Sequence, residues 1–239
     1  MLTFFRKFRK SFIDSSSTRK YLLYAIGEIA LVVIGILIAL QINNWNEWRK
    51  DRIQEKTLLQ RLSDNLERNI ATINAALKYI DQRTNSSELI FRLLEQEGEY
   101  VDSLDQHFAL GILRGQLAPP ISQNSYESIK NEGFEKLTNQ ELSENIISLF
   151  EEVYKEVEDW RIYTNDNAIQ DQLLWYKYFR RHEGGFRPLD FNTLGQNDEY
   201  LSLMTSVSEF RKINYRNYES ALDATKLTLQ LVNKELEKE

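Results

Sequence analysis

The sequence predicts an all-α protein in which a single N-terminal transmembrane helix continues into an extramembrane antiparallel helical bundle. Residues 21–42, YLLYAIGEIALVVIGILIALQI, hold one charged side chain. At a rise of about 1.5 Å per residue they reach roughly 33 Å, enough to cross a hydrocarbon core of about 30 Å. The whole chain of 239 residues has nine glycines and three prolines, so its remaining length favours helices over strands and turns.

The first twenty residues form a basic amphipathic leader. Four phenylalanines stand at helical spacing among six basic side chains and one acidic side chain. The pattern fits an interfacial helix on an anionic leaflet or the charged flank of a signal anchor. Because the leader is more densely basic than the segment after the span, we expect the N-terminus in the cytoplasm, the span in the cytoplasmic (inner) membrane and residues 43–239 in the periplasm. Trp45 and Trp48 would then lie in the interfacial aromatic belt.

Glu28 is the one charged residue of the span. On a helical wheel it shares a face with Tyr21, Tyr24, Gly35 and Ala39, so polar and small residues form one stripe. One interpretation is that this stripe packs helices together in a homo-oligomer, with Glu28 protonated or hydrogen-bonded between them. The other is that Glu28 handles ions or protons against partner helices.

The chain after the span reads as a series of helices. An apolar stripe with steps of three and four, from Leu59 to Ile80, predicts a long stalk-like helix that ends near residues 80–85. The run Asn85-Ser-Ser-Glu88 predicts the cap of a separate helix that stops before Gly98. Two short helices are predicted next, over residues 103–114 and 125–133.

A second long helix begins at Thr138-Asn-Gln-Glu141, which has the form of a capping box. Its apolar stripe includes Val153 and reaches Trp160. A cap-like cluster at residues 164–166 predicts a break before an aromatic-rich helix over residues 169–181. Its aromatic residues form either a docking patch or rings shared between two packed neighbours; they are Trp175, Tyr176, Tyr178 and Phe179.

The last helix is predicted from near Asp198 to the chain end, after a loop over residues 184–197. It matches the first long helix in length, so we expect the two to pack antiparallel, with the last helix returning towards the membrane and the shorter helices completing a bundle.

Three stretches carry a resemblance to a known family: the leader and span, FFRKFRK…RKYLLYAIGEIALVVIGILIALQINNWNE, the helix EKTLLQRLSDNLERN, and the turn SYESIKNEG. Together they resemble a large family of single-span Bacteroidota membrane proteins of unknown function. The resemblance implies a membrane-anchored protein of a double-membrane bacterium and supplies no catalytic residue. It makes several residues of the span motif positions: Gly27, Glu28, Gly35, Asn43, Asn44 and Trp45.

Several classes of chemistry find no support in the sequence. The chain has no cysteine and two histidines, His107 and His182, and His182-Glu-Gly-Gly lacks the second histidine of a zincin helix. Phosphate-binding loops and nucleophile elbows are absent from the sequence. Residues 57–239 carry twenty basic and thirty-one acidic side chains, which argues against nucleic acid as a partner.

We therefore expect a non-enzymatic scaffold or sensor module without catalytic residues, metal or cofactor. Its expected partners are the lipid bilayer and either further copies of itself or other membrane proteins. The alternative is a single-span subunit of an ion- or proton-coupled membrane complex that uses Glu28. A third hypothesis, a hydrolase in the loop-rich regions 98–124 or 184–197, has no motif behind it.

Overall fold

A computed structural model describes residues 16–112, 119–183 and 185–238. By packing, the chain divides into two compact units, one up to Gln54 and one from Glu55 onwards. The predicted leader lies outside the described residues, apart from residues 16–20 at the start of the first helix.

The described residues are overwhelmingly helical, as the sequence predicts. In chain order the elements are α1 (Ser16–Glu95), α2 (Leu104–Ile112), α3 (Asn124–Glu132), a 3₁₀ turn (Phe134–Lys136), α4 (Gln140–Ser148), a π-helical turn (Leu149–Val153), α5 (Tyr154–Tyr178), β1 (Phe179–His182), β2 (Gly185–Pro188), α6 (Phe191–Leu194) and α7 (Asp198–Leu236). Helix α1 contains the one helix stretch among the described residues that is long and apolar enough to cross a membrane.

Helix α1 does not end near Asn85, so the predicted break there is wrong. Ser86 and Ser87 are buried inside it, and their hydroxyls bond to another helix instead of capping a new one. The Ser87 hydroxyl donates to the Gly111 carbonyl over 2.6 Å, and Ser86 Oγ lies 3.1 Å from Nδ1 of His107. A serine hydroxyl can cap a helix or form a hydrogen bond elsewhere. Here both hydroxyls bond to residues of α2.

The second long helix differs from the prediction at its start. Asn139, and not Thr138, is the N-cap residue, because its side chain accepts a hydrogen bond from the Leu142 N–H over 3.1 Å. Thr138 bonds to Glu55 instead.

A π-helical turn then changes which side chains of this helix enter the core. Tyr154 is fully buried, whereas Val153, which the predicted stripe placed inside, is only half-buried. The wider turn adds one residue to the repeat, and this shifts the buried position by one.

The predicted break at residues 164–166 is also absent. The Thr164 hydroxyl donates to the Trp160 carbonyl, one turn back, over 2.7 Å, and the helix continues to Tyr178. Residues 179–181, predicted as helix, form strand β1 instead, and part of the predicted loop forms β2 and α6. The strands pair antiparallel, with Phe179 opposite Pro188 and His182 opposite Gly185.

The second unit has two apolar cores. The larger core combines α1, α3, α4, α5 and α7, and is built around residues such as Leu62, Leu66, Ile146 and Tyr154. The smaller core joins the end of α1 to α2, the end of α5, the β-hairpin, α6 and the start of α7, with Phe108, Trp175 and Phe179 at its centre.

Helices α1 and α7 pack antiparallel, as predicted. Ser63 bonds to Asn233 over 2.9 Å, and the Arg83 carbonyl accepts from Arg211 over 3.1 Å. Residue numbers thus rise along one helix as they fall along the other.

Candidate functional site

The face of α1 that carries Glu28 is the predicted site. Gly35 and Ala39 follow Glu28 by seven and eleven residues, which places all three along one side of an α-helix. Apart from its chain neighbours and the adjacent backbone of its own helix, a Cβ added at Gly35 would meet no atom within 4 Å. Glu28 borders a shallow hollow with Ala25, Ile29 and two valines. The face is therefore open enough to accept another helix at close range.

The span exposes apolar side chains around its whole circumference. Each of twelve such side chains between residues 22 and 42 is at least 47% exposed. They are Leu22, Ile26, Ile29, Leu31, Val32, Val33, Ile34, Ile36, Leu37, Ile38, Leu40 and Ile42. A contiguous apolar surface of this size is foreign to a monomeric soluble protein and typical of a surface that contacts lipid or protein.

The predicted interfacial residues follow directly on this helix. Trp45 and Trp48 are both exposed, and the Arg49 guanidinium lies 5.9 Å from the centre of the Trp45 ring. The backbone of Tyr21 and Tyr24 is part of α1, but the structure does not describe their side chains.

A polar cluster that the sequence did not reveal surrounds the buried side chain of Asp105. Its carboxylate accepts hydrogen bonds from Arg187, over 3.2 Å from Nε and 3.0 Å from a terminal nitrogen, and from the Tyr100 hydroxyl. Nδ1 of His182 is 3.4 Å from the same carboxylate. The loop-rich regions 98–124 and 184–197 thus meet at one carboxyl group.

The charges of this cluster hold one another in place. Burial and the adjacent Asp105 carboxylate raise the pKa of Tyr100 to about 12, and the hydrogen bond to Asp105 raises the pKa of Arg187. Gly185, with φ +143°, approaches so closely that an added Cβ would lie 2.2 Å from the Asp105 carbonyl oxygen. Asp105 therefore fixes the β-hairpin to α2.

A second unpredicted cluster is centred on the buried side chain of Arg211. Its guanidinium donates to the Arg83 carbonyl and the Ser87 hydroxyl of α1, and to the Leu110 and Gly111 carbonyls near the end of α2. Burial, and then the neighbouring Arg83 charge, lower the pKa of Arg211 to about 9, so Arg211 stays protonated at neutral pH. One cation thus joins three helices and sits at the negative end of α2.

The four aromatics of the predicted patch divide between the surface and the smaller core. Trp175 and Phe179 are buried, with ring centres 4.5 Å apart, while Tyr176 is exposed. Tyr178 is half-buried and donates to Glu199. Packing between neighbouring elements accounts for the buried pair.

Comparison with known proteins gives one match. Residues 28–112 match a family of unknown function (DUF6090). The match begins at Glu28 and covers the rest of the span, the remainder of α1 and all of α2. No curated protein and no solved structure matches the chain. The chain is thus similar, over this region, to an uncharacterised family.

The DUF6090 match includes Glu28, Gly35 and Ala39 on the span, and Asp105 and Ser87 of the polar clusters. The SYESIKNEG turn at residues 125–133 lies outside it. Within the described parts of the chain, no group of three or more acidic or histidine side chains is placed to hold a metal ion.

Proposed function

We propose that this protein is a non-enzymatic helical scaffold or sensor module that is anchored in a membrane by residues 21–42 and is oligomeric through its Glu28 face. The exposed apolar surface of the span carries the proposal. Removing one large aliphatic side chain from water is worth roughly 1.5–3 kcal/mol, so twelve exposed side chains strongly favour an apolar environment. A bilayer supplies that environment along the full length of the span.

The cellular location we propose is the inner membrane of a double-membrane bacterium of the Bacteroidota, with residues 43–239 in the periplasm. The basic leader supports a cytoplasmic N-terminus, and the span motif supports the bacterial group. Trp45 and Trp48 would lie at the outer interface, where exposed indole rings are favoured.

A non-enzymatic role is supported by the contacts of the most chemically suggestive cluster. The Asp105 carboxylate is buried and accepts hydrogen bonds from Arg187 and Tyr100. A general base needs access to a substrate proton, whereas these contacts suit a carboxylate that holds a hairpin to a helix.

The second candidate is a subunit of an ion- or proton-coupled membrane complex, and the position of Glu28 favours it. The side chain is exposed on the apolar span, and an unpaired carboxylate within a bilayer costs at least a few kcal/mol. A partner protein with several spans would then supply groups that exchange a proton or ion with Glu28.

Extraction of membranes with alkaline carbonate tests the anchor. We expect the full chain to stay in the membrane pellet, and its release into the supernatant would overturn the proposal. A topology reporter fused after Glu239 should be active in the periplasm; activity in the cytoplasm would reverse the orientation.

Glu28→Gln separates the two candidates. If the face packs helices, crosslinking of native membranes should yield fewer oligomers for the variant than for wild type. Unchanged crosslinking together with loss of a proton-linked activity would favour the coupled complex. A wild-type protein that is strictly monomeric in membranes would remove the proposed oligomer.

A further inference from the structure

The groove between α1 and α7 collects basic side chains in an otherwise acidic unit. It has a volume of about 310 Å³ and is lined by Asp81, Thr84, Arg211, Lys212, Tyr215 and Arg216. Three of these six residues are basic and one is acidic, whereas residues 57–239 as a whole carry eleven more acidic than basic side chains. The groove is thus a locally basic site in an acidic unit.

Arg211 supplies the groove with a positive charge that is fixed in position. It is only 6% exposed, and four oxygen atoms from two helices hold its guanidinium. The Arg83 guanidinium donates to the Tyr79 hydroxyl, and, besides burial, its positive charge lies near enough to Arg211 to lower the pKa of Arg211. Fixed positive charge costs little further ordering when an anion binds, so it favours binding.

Lys212 and Arg216 are the adjustable part of the groove. Lys212 is paired with Glu209 over 2.7 Å, but both side chains are more than half exposed. An exposed pair of this kind contributes little to stability, so a bound anion can take the place of Glu209. The opposing carboxylates, Glu209 and Asp81, would then act as competitors of the ligand.

We propose that this groove is a binding site for a small ligand that carries a phosphate group. The Arg216 guanidinium can match the oxygens of phosphate geometrically, Lys212 adds a point charge, and Thr84 adds a hydroxyl. Arg211 contributes positive charge, since its terminal N–H groups already donate within the fold. The phosphate belongs either to a soluble metabolite or to a lipid headgroup, and both present the same chemistry to the groove. This site is independent of the role proposed for Glu28.

The test uses the full chain in an uncharged detergent at pH 7 and constant ionic strength, with calorimetric titration of inorganic phosphate. Wild type should bind phosphate, and the double variant Lys212→Gln with Arg216→Gln should weaken binding at least about tenfold, because it removes both exposed cations of the groove. Lys226→Gln removes an exposed lysine elsewhere on α7 and should leave the affinity unchanged.

Glu209→Gln tests the proposal in the opposite direction, because removal of a competing carboxylate should strengthen phosphate binding. All four side chains to be changed lie at the protein surface, and helical circular dichroism checks that each variant is folded. Absence of phosphate binding by wild type, or equal affinities for all variants, would overturn the proposal.

A second titration identifies the source of the phosphate. Short-chain phosphatidic acid that binds more tightly than inorganic phosphate, with the same dependence on Lys212 and Arg216, supports a lipid headgroup. Equal affinities for both probes, again dependent on the two residues, support a soluble ligand.

Discussion

The carboxylate of Glu55 accepts two hydrogen bonds from Thr138, one from the backbone N–H over 2.7 Å and one from the hydroxyl over 2.9 Å. Glu55 is almost fully buried, and Thr138 lies directly before the N-cap of α4. Nearby, Asn139 donates to the buried carboxylate of Glu235 over 2.6 Å. Two carboxylates thus stabilise the start of α4, where the helix dipole favours negative charge.

We expect Glu55→Ala to lower the free energy of unfolding by about 1.5–3 kcal/mol, because it removes a buried carboxylate that accepts two hydrogen bonds from Thr138. The measurement is urea unfolding of the full chain in neutral detergent, followed by helical circular dichroism. Glu156→Ala, an exposed glutamate on α5, is the matched control and should change stability by less than about 0.5 kcal/mol. Equal midpoints for both variants would contradict the role of Glu55.

Arg211→Lys should be far from conservative, although the charge is kept. A lysine ammonium cannot bond to all four oxygens that accept from the planar guanidinium. We therefore expect the free energy of unfolding to fall by about 2–3 kcal/mol. Hydrogen exchange should show faster opening of α2, whose last carbonyls Arg211 binds. Arg216→Lys, at the exposed end of the same groove, is the control; similar exchange in both variants would argue against the anchor.

The sequence predicts the helices well where a single apolar stripe determines which face of the helix is buried. From Leu59 to Ile80 each apolar step of three or four faces the same core, and that stripe is buried as predicted at Leu59, Leu62, Leu66, Ile73 and Ile80. The face with Glu28, Gly35 and Ala39 could be recognised for the same reason, since helical periodicity alone places its members together.

The failures occur where a distant partner decides the structure. Ser87 and Thr164 each resemble helix caps in sequence, but each lies within a continuous helix. Ser87 donates to the Gly111 carbonyl of α2, and the Thr164 hydroxyl accepts from Asn214 of α7 over 3.5 Å. The β-hairpin had a local signal, the Gly-Gly dipeptide before Phe186, yet its attachment depends on Asp105, about eighty residues earlier. Partners at such separation leave no periodic pattern, so the Asp105 and Arg211 clusters could not be predicted.

We expect Asp105→Asn to loosen the β-hairpin more than any change at His182. The carboxylate is buried and accepts hydrogen bonds from Arg187 and Tyr100, and an asparagine side chain has only one acceptor atom, so we expect a loss of stability of about 1–3 kcal/mol. His182 is half exposed and lies 3.4 Å away, so His182→Ala should cost less than about 1 kcal/mol. Hydrogen exchange of residues 179–188 measures both; an equal response would show that the carboxylate does not anchor the hairpin.

Stability in acid should depend on Glu151. Hydrogen bonds from the Tyr126 hydroxyl over 2.7 Å and from Lys130 over 3.1 Å hold the pKa of Glu151 below its ordinary value of 4.5. A lowered pKa in the folded state contributes stability that is complete above pH 4.5 and is lost as the pH falls through the folded value. Unfolding midpoints between pH 6 and 3 should therefore fall less for Glu151→Gln than for wild type. Glu156→Gln should follow wild type, and a parallel fall in all three proteins would refute the contribution.

The span gives the most direct prediction about assembly, because two of its small residues, Gly35 and Ala39, lie on the same face as Glu28. Gly35→Ile and Ala39→Ile each place a bulky side chain where another helix would approach, so crosslinking of native membranes should fall about fivefold, or roughly 1 kcal/mol. Ala30→Ile makes the same change as Ala39→Ile, but on the opposite side of the helix, and should leave the yield unchanged. Equal loss in all three variants would mean that the substitutions disturb the span itself, and equal yield in all three would remove the Glu28 face as the packing surface.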